Sequence, residues 1–240
     1  MLHSNSLENL FFIDIETVPC TENFSDLDST WQSLWLQKAH YDPLVRSGEI
    51  AIENAWPRAG IYAEFGKIIC IGMGYFVYEK KQWHARIKSL SNPDEKILLT
   101  EFAHIMLSLD ASTRLCAHNG KEFDFPYLCR RLIINGIPLP DLLDLGGKKP
   151  WEIPHVDTLE WWKFGDHKSY ASLSLMAKTL GLPSPKEELD GSRIYQTYYA
   201  ENNLQSIADY CKKDVLTLMN VYLRLKLLQA LPAEQVVNLP

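Results

Sequence analysis

Four carboxylates and one tyrosine occupy positions where their chemistry needs a reason. Asp14 and Glu16 stand at i and i+2 in the run from Leu10 to Thr17, so on an extended strand both side chains project from one face. Leu10 and Phe12 share that face, and ionised acids are not placed among apolar neighbours without a partner. Asp124 closes the segment His118-Asn119-Gly120-Lys121-Glu122-Phe123-Asp124, just after a short apolar run. Asp214 follows Tyr210 by four residues, which puts the two on one helix face, one turn apart. Composition alone supplies about one D-x-E and about 0.6 of a Y-x-x-x-D, so neither pair is informative by itself. The information lies in order and context: an acid pair on a buried first strand, an acid after a later strand, a Tyr–Asp pair on a C-terminal helix. Carboxylates gathered in this way suit hard divalent cations, which prefer oxygen ligands.

Composition bounds the rest. The chain has 240 residues, 46% hydrophobic and 22% charged, which is ordinary globular composition with enough length for a core of adequate size. Formal net charge is −6, so a nucleic-acid reading must rest on chemistry at a site rather than on a basic surface. No apolar run approaches the roughly 18 residues of a membrane span. No basic stretch followed by a long apolar one marks a signal peptide. Five cysteines (Cys20, Cys70, Cys116, Cys129, Cys211) form no CxxC pair, which argues against a disulfide framework or a zinc knuckle. The expectation is a cytoplasmic protein with no membrane partner.

The elements that must position these residues follow from periodicity. Leu10 to Ile15 reads as a buried strand, with Phe11, Ile13 and Ile15 on the face opposite Asp14. Residues 19–66 are longer and less regular than a simple connection requires, with a helix expected from Ser29 to Ala39 on the spacing of Trp31, Leu34, Trp35 and Ala39. Lys67 to Tyr78 reads as a strand and His84 to Leu90 as its hairpin partner. Asn92-Pro93-Asp94-Glu95 reads as a helix start, with Asn92 capping and Pro93 first, and Ile97, Leu98, Phe102, Ile105, Met106 and Leu109 facing the core. Thr113 to His118 reads as a strand and Pro126 to Asn135 as a helix that Asp124 could cap. Helices are also expected over Ser172 to Leu180, Gly191 to Ala200, and from a cap at Asn203 to about Leu228. Strands that come early with helices mixed in predict one α/β domain with a central mixed sheet flanked by helices, and no internal repeat is present.

With these motifs in place, the chain resembles the DEDD superfamily of 3′–5′ exonucleases. Phe12-Ile13-Asp14-Ile15-Glu16-Thr17 matches the first motif, 118–124 the second, and Tyr210-Cys211-Lys212-Lys213-Asp214 the third. Tyrosine four before the last Asp, rather than histidine five before it, is the mark of the DEDDy branch. The chain is similar to stand-alone exonucleases related to the proofreading domain of family-B DNA polymerases, through Glu64-Phe65-Gly66-Lys67-Ile68, His155-Val156-Asp157-Thr158-Leu159, Trp162-Lys163-Phe164-Gly165, and Pro185-Lys186 through Asp190-Gly191. The resemblance covers about residues 10–226. It implies an RNase H-like fold and two divalent metal ions, Mg²⁺ or Mn²⁺. Asp14 would bridge both ions, Glu16 and Asp214 would complete one site, Asp124 would support the other, and Tyr210 would orient the attacking water.

The same resemblance places Thr17, Asn119 and Phe123 near the terminal nucleotide. Lys163, Lys168, Lys186, Arg193 and Lys213 are the candidates for phosphate contacts, although residues 148–193 balance seven Lys/Arg with seven Asp/Glu and can equally be a mixed solvated surface. His118 reads as a structural strand-end histidine, Asp157 as either a helix cap or an acid supporting the site, and Cys211 as a small apolar core group. The implied substrate is the 3′ end of single-stranded nucleic acid, DNA first, with nucleoside 5′-monophosphates as products. The alternatives are an exoribonuclease and a catalytically silent nucleic-acid-binding module. The chain has no room for a polymerase domain, so any proofreading is expected in trans or within DNA repair. The role of 19–66 stays open between a lid, a dimer arm and a substrate guide.

Overall fold

Alternation on the first strand separates two layers of core. In the computed structural model, which describes residues 7–166, 168, 170–183 and 191–240, that strand is β1 (Leu10–Pro19). It is followed by α1 (Ser29–Ala39), α2 (Pro43–Arg46), β2 (Gly66–Glu79), β3 (Gln82–Ser91), α3 (Glu95–Ser108), β4 (Arg114–Ala117) and α4 (Asp124–Ile134). Then come β5 (Val156–Asp157), α5 (Thr158–Lys163), α6 (Leu173–Thr179), α7 (Ile194–Tyr199), α8 (Leu204–Leu225) and β6 (Val236–Asn238). Phe11, Ile13 and Ile15 enter one core with Leu98, Leu99 and Phe102 of α3 and Leu128 and Leu132 of α4. Leu10 and Phe12 enter the other, against Val215, Leu218, Met219 and Tyr222 of α8. Period-two burial on a strand covered on both faces produces this division.

The strands form one six-stranded mixed sheet in the order β5-β4-β1-β2-β3-β6. β1–β2 and β2–β3 are antiparallel, while β1–β4, β4–β5 and β3–β6 are parallel. This is the mixed sheet with flanking helices expected of the RNase H-like class. The β2–β3 hairpin closes through Lys80 and Lys81, both left-handed at φ 50° and 66°, a turn that Asn-Gly usually supplies. Two strands and two helices lie outside the sequence expectations: β5, β6, α2 and α5 are only two, three, four and six residues long, too short to show a period.

Several boundaries move, each for a local reason. Asp94, not Asn92, caps α3, taking Lys96 and Ile97 N–H at 2.9 and 3.2 Å. Asn92 instead accepts Asp94 N–H, a side-chain turn just before the helix. Ile97 is 56% exposed rather than core-facing, and Leu99 and Ala103 take buried positions on α3. Helix α4 starts at Asp124, two residues before Pro126, and the Asp124 side chain does not cap it. Helix α8 ends at Leu225, three residues short of Leu228.

Residues 19–66 carry a small core of their own. Trp35, Ala39, Ala55, Trp56, Ala59 and Phe65 bury together. Asp42 is fully buried beneath them, bridged by Arg58 Nε at 3.0 Å and bonded by Leu44 N–H and the Tyr62 hydroxyl. Burial pushes its carboxyl up, but these partners win and hold it below the ordinary value. The Tyr127 hydroxyl donates to Gly60 O at 2.7 Å, tying this segment to α4.

Helix α8 lies unusually close to the sheet. A Cβ on Gly72 would come within 2.7 Å of Val215 Cγ2, 2.8 Å of Cys211 Sγ and 3.0 Å of Cys211 O, and one on Gly74 within 2.8 Å of Met219 Sδ and Val215 Cγ1. Gly72 pairs with Asp14 across the β1–β2 ladder. Gly72→Ala is therefore expected to destabilise the protein by about 1–3 kcal/mol in thermal or urea denaturation. Gly146→Ala, where nothing lies closer than 3.9 Å, serves as a neutral control.

Candidate functional site

β1 supplies the first pair of acids. Its alternation turns Asp14 and Glu16 toward α8 while Ile13 and Ile15 turn away. A register shift between Glu16 and Thr17 bends the strand just past the second acid. α8 supplies the next pair: a cap by Asn203, whose Oδ1 accepts Ser206 N–H at 3.0 Å, sets its start. Its apolar stripe through Ile207, Cys211 and Val215 then fixes which way Tyr210 and Asp214 point. α4 supplies the fourth acid at its first residue. Asp124 is 4% exposed and reaches across to β1, where its Oδ1 accepts Ile15 N–H at 3.2 Å.

The four acids meet. Asp14 feels the charges of Asp214 and Asp124, and Glu16 those of Asp14, Asp214 and Asp124. Burial first, and this mutual repulsion second, push the carboxyls of Asp14 and Glu16 well above the ordinary range. Burial pushes Asp124 up to about 7, against the stabilising N–H groups of its own residue and of Ile15. Tyr210 hydrogen-bonds Asp214, and burial followed by the charges of Asp214 and Glu16 holds its phenol protonated well above the ordinary value.

The donor set fits a divalent cation. Among the described residues no N–H or hydroxyl reaches the carboxylate of Glu16, and the Asp14 carboxylate receives only the Cys211 thiol, at 3.5 Å. Ligand atoms of Asp14, Glu16 and Cys211 lie within 4.8 Å of one another. Clustered carboxylates with so few donors suit positive charge. Cys211 departs from the sequence expectation: it is buried, yet its thiol lies against Asp14. Its position three before Asp214 was the available signal, since residues three apart share a helix face.

Other expected residues divide. Thr17 sits half-buried at the strand bend. Asn119 is left-handed at φ 61° and Phe123 is half-buried against the Tyr127 ring. Arg193 is exposed and pairs with Glu201 at 3.3 Å. Lys163, Lys168 and Lys213 lie on the surface or partly so, and Lys186, like Pro185 and Asp190, lies outside the described residues. A groove of about 560 Å³ runs beside α8, bordered by Tyr210, Ser206, Lys212, Lys213 and Asn238. His118 is structural: its Nε2 donates to Ala171 O at 2.8 Å and Nδ1 meets Thr158 Oγ1 at 2.9 Å. Asp157 is both things at once, capping α5 and bonding the backbone of the 118–124 loop.

These charges have a consequence for stability. Carboxyls raised on folding bind protons more tightly in the folded state, so their contribution is fully present below about pH 4 and is lost as pH rises through the folded values, about 7 for Asp124. The metal-free protein should therefore lose melting temperature between about pH 5 and about pH 8. Saturating Mg²⁺ or Mn²⁺ should flatten that loss, and Asp14→Asn should raise the metal-free Tm by at least about 2 °C. Differential scanning fluorimetry in EDTA and in metal reads all three; a Tm in EDTA that climbs with pH would contradict the electrostatic account.

Comparisons with known proteins identify the family. Residues 61–237, nearly three quarters of the chain, match the sequence model of a family described as a predicted 3′–5′ exonuclease related to the exonuclease domain of PolB. The match takes in Asp124, Tyr210 and Asp214 and begins after Asp14 and Glu16. The chain is 29% identical over 154 residues to the catalytic subunit of DNA polymerase epsilon from Yarrowia lipolytica, across 60% of this chain but only 7% of that protein. Among solved structures, the family B DNA polymerase of the hyperthermophilic archaeon Pyrobaculum calidifontis superposes on 87% of this chain and 24% of its own, with 14% identity and a TM-score of 0.48. The RNase domain of the yeast Pop2 protein superposes on 90% of this chain and 79% of its own, with 14% identity and a TM-score of 0.36. On the family match, with its last two motifs inside it, the chain belongs to the 3′–5′ exonuclease family related to the exonuclease domain of PolB.

Proposed function

We propose that this chain hydrolyses phosphodiester bonds one nucleotide at a time from the 3′ end of single-stranded DNA, releasing nucleoside 5′-monophosphates. The observation that carries the reading is the convergence of four acids from β1, α4 and α8, two of which lack any N–H donor among the described residues. The family match supports the reaction, and the relative named as part of a DNA polymerase favours DNA. The chain is taken as one catalytic unit with 19–66 attached to it, and its five free thiols suit a reducing, cytoplasmic setting such as DNA repair.

Asp14, Glu16 and Asp214 would hold one Mg²⁺ or Mn²⁺, and Asp14 with Asp124 a second. When bound, such ions offset phosphate charge and make water a better nucleophile at neutral pH. The chain's own residues do the positioning. Tyr210 keeps its proton at neutral pH, so it serves as a hydrogen-bond donor that orients the attacking water and not as a base. That water adds to phosphorus as the bond to the 3′ oxygen of the preceding nucleotide breaks, and the terminal nucleotide leaves with its 5′ phosphate. By the family resemblance Thr17, Asn119 and Phe123 would lie near the terminal nucleotide, and Lys213 lines the groove beside Tyr210. A stacking contact from Phe123 would contribute about 1–3 kcal/mol.

Digestion of a 5′-labelled single-stranded DNA tests this directly. A ladder shortening from the 3′ end is expected with Mg²⁺ or Mn²⁺, none in EDTA, and at least about a hundredfold less with Asp14→Asn. Tyr210→Phe should lower kcat by about tenfold or more with little change in KM. A matched RNA oligonucleotide degraded faster than the DNA would reassign the substrate, since discrimination rests on the 2′-OH. End binding without turnover on either would reduce the chain to a binding module.

A further inference from the structure

Asp157 makes more bonds than a helix cap needs. It is 3% exposed, and its Oδ1 accepts Leu159 and Glu160 N–H at 2.9 and 3.2 Å, which caps α5. The same oxygen accepts Asn119 N–H at 3.0 Å, and Oδ2 accepts Lys121 N–H, also at 3.0 Å. Asn119 lies in the left-handed region, which asparagine adopts more readily than other non-glycine residues. Its carbonyl in turn accepts Glu122 and Phe123 N–H at 3.2 and 3.0 Å. One residue, Asn119, thus connects the Asp157 carboxylate to the residue immediately before Asp124. Two further bonds stitch α5 to the loop: Lys121 Nζ to Glu160 at 2.7 Å, and Thr158 Oγ1 to His118 at 2.9 Å.

We propose that Asp157 is a positioning residue that holds Asp124 in metal-binding geometry by clamping the 118–124 loop to the start of α5. This rests on the exonuclease reading above and adds to it a residue outside the four acids. Asp124 has little freedom of its own: it opens α4 and its carboxylate must span to Ile15 on β1. A small rotation of the loop would carry it off that bond. The metal site that depends on Asp124 would weaken, while the sites on Asp14, Glu16 and Asp214 would stay.

Asp157→Asn removes one of the two bonds to the loop and leaves the cap in place. Its amide oxygen can keep the three bonds to Oδ1, and Asn caps helices as well as Asp. Its NH₂ then meets the Lys121 N–H, donor against donor, so the Lys121 bond to the loop is lost while the cap and the Asn119 bond are kept. The expected result is a Tm close to wild type, a Mn²⁺ half-saturation for turnover raised about tenfold, and an unchanged KM for the oligonucleotide. Mn²⁺ titration followed by electron paramagnetic resonance should show one class of site weakened and one intact. In an Asp124→Asn background the Asp157 change should add nothing, because both act on the same ion. If the Asn variant melts without cooperativity, Asp157→Ser, which keeps a cap but cannot span to the loop, carries the same expectations. An unchanged Mn²⁺ titration, an equal loss of activity at every metal concentration, or additive effects in the double variant would each overturn the proposal. Wild-type protein that neither binds Mn²⁺ nor degrades the oligonucleotide would overturn the exonuclease reading itself, an outcome visible before any variant is made.

Discussion

Everything at the site depends on how closely α8 lies on β2. Two glycines, Gly72 and Gly74, remove the side chains that would hold the helix off, and Cys211 and Val215 fill the space. Gly72 pairs with Asp14 and Cys70 with Glu16, so the helix settles directly over the acid pair of β1. Asp214 and Tyr210 need no long reach to meet them. Packing does this without any attraction between the functional groups. Hydrophobic burial by Ile207, Val215, Leu218 and Tyr222 on one helix supplies the free energy that holds like charges together.

That arrangement has an electrostatic cost, and its distribution is informative. Asp124 has two N–H groups to stabilise its charge and still rises to about 7. Asp14 and Glu16 have none from the described backbone, and burial and mutual repulsion push both well above the ordinary range. The strain is concentrated on β1, at the centre of the cluster, where a cation would contact the most carboxylates at once. A fold that accepts such repulsion without its cation resembles other functional sites, which are less stable than the scaffold around them could make them.

Much of this was legible in the chain. Alternation in Leu10–Glu16 gave both faces of β1, and the helical stripe of Leu204–Leu225 gave the orientation of Tyr210 and Asp214, because both elements are long and strongly periodic. What escaped was set by tertiary contact. Glu95 read as an acid favouring a helix N-terminus, yet it is buried: it accepts Ile68 N–H at 2.7 Å and is bridged by Arg131, which also reaches Ala63 O. No local pattern marks such a pair, whose members are 36 residues apart. Ile97 read as core because its spacing fits, but α3 is apolar around much of its surface and turns Leu99 and Ala103 inward in its place. Cys211 read as inert because its chemistry depends on Asp14, nearly two hundred residues away. Asp157 was undecided because α5, the helix it caps, is only six residues long.

The buried acids elsewhere sharpen the argument for the cluster. Glu95 receives a backbone N–H, a guanidinium and an Asn135 amide. Asp42 receives Arg58, Leu44 N–H and a tyrosine hydroxyl. Asp157 receives four N–H groups. Buried histidine is treated with equal care: His155 takes Leu115 N–H on Nδ1 and gives its Nε2 proton to Leu142 O, so burial keeps it neutral. Among the described residues these three structural carboxylates are each given several donors. At Asp14 and Glu16, on one of the two central strands of the sheet, the described residues supply only a thiol. Poor packing does not explain the difference, because Phe12 on the same face of β1 and Cys211 and Val215 of α8 are wholly buried. The shortfall matches what a hard cation would provide, and it falls on the two acids that the helix α8 and the start of α4 both face.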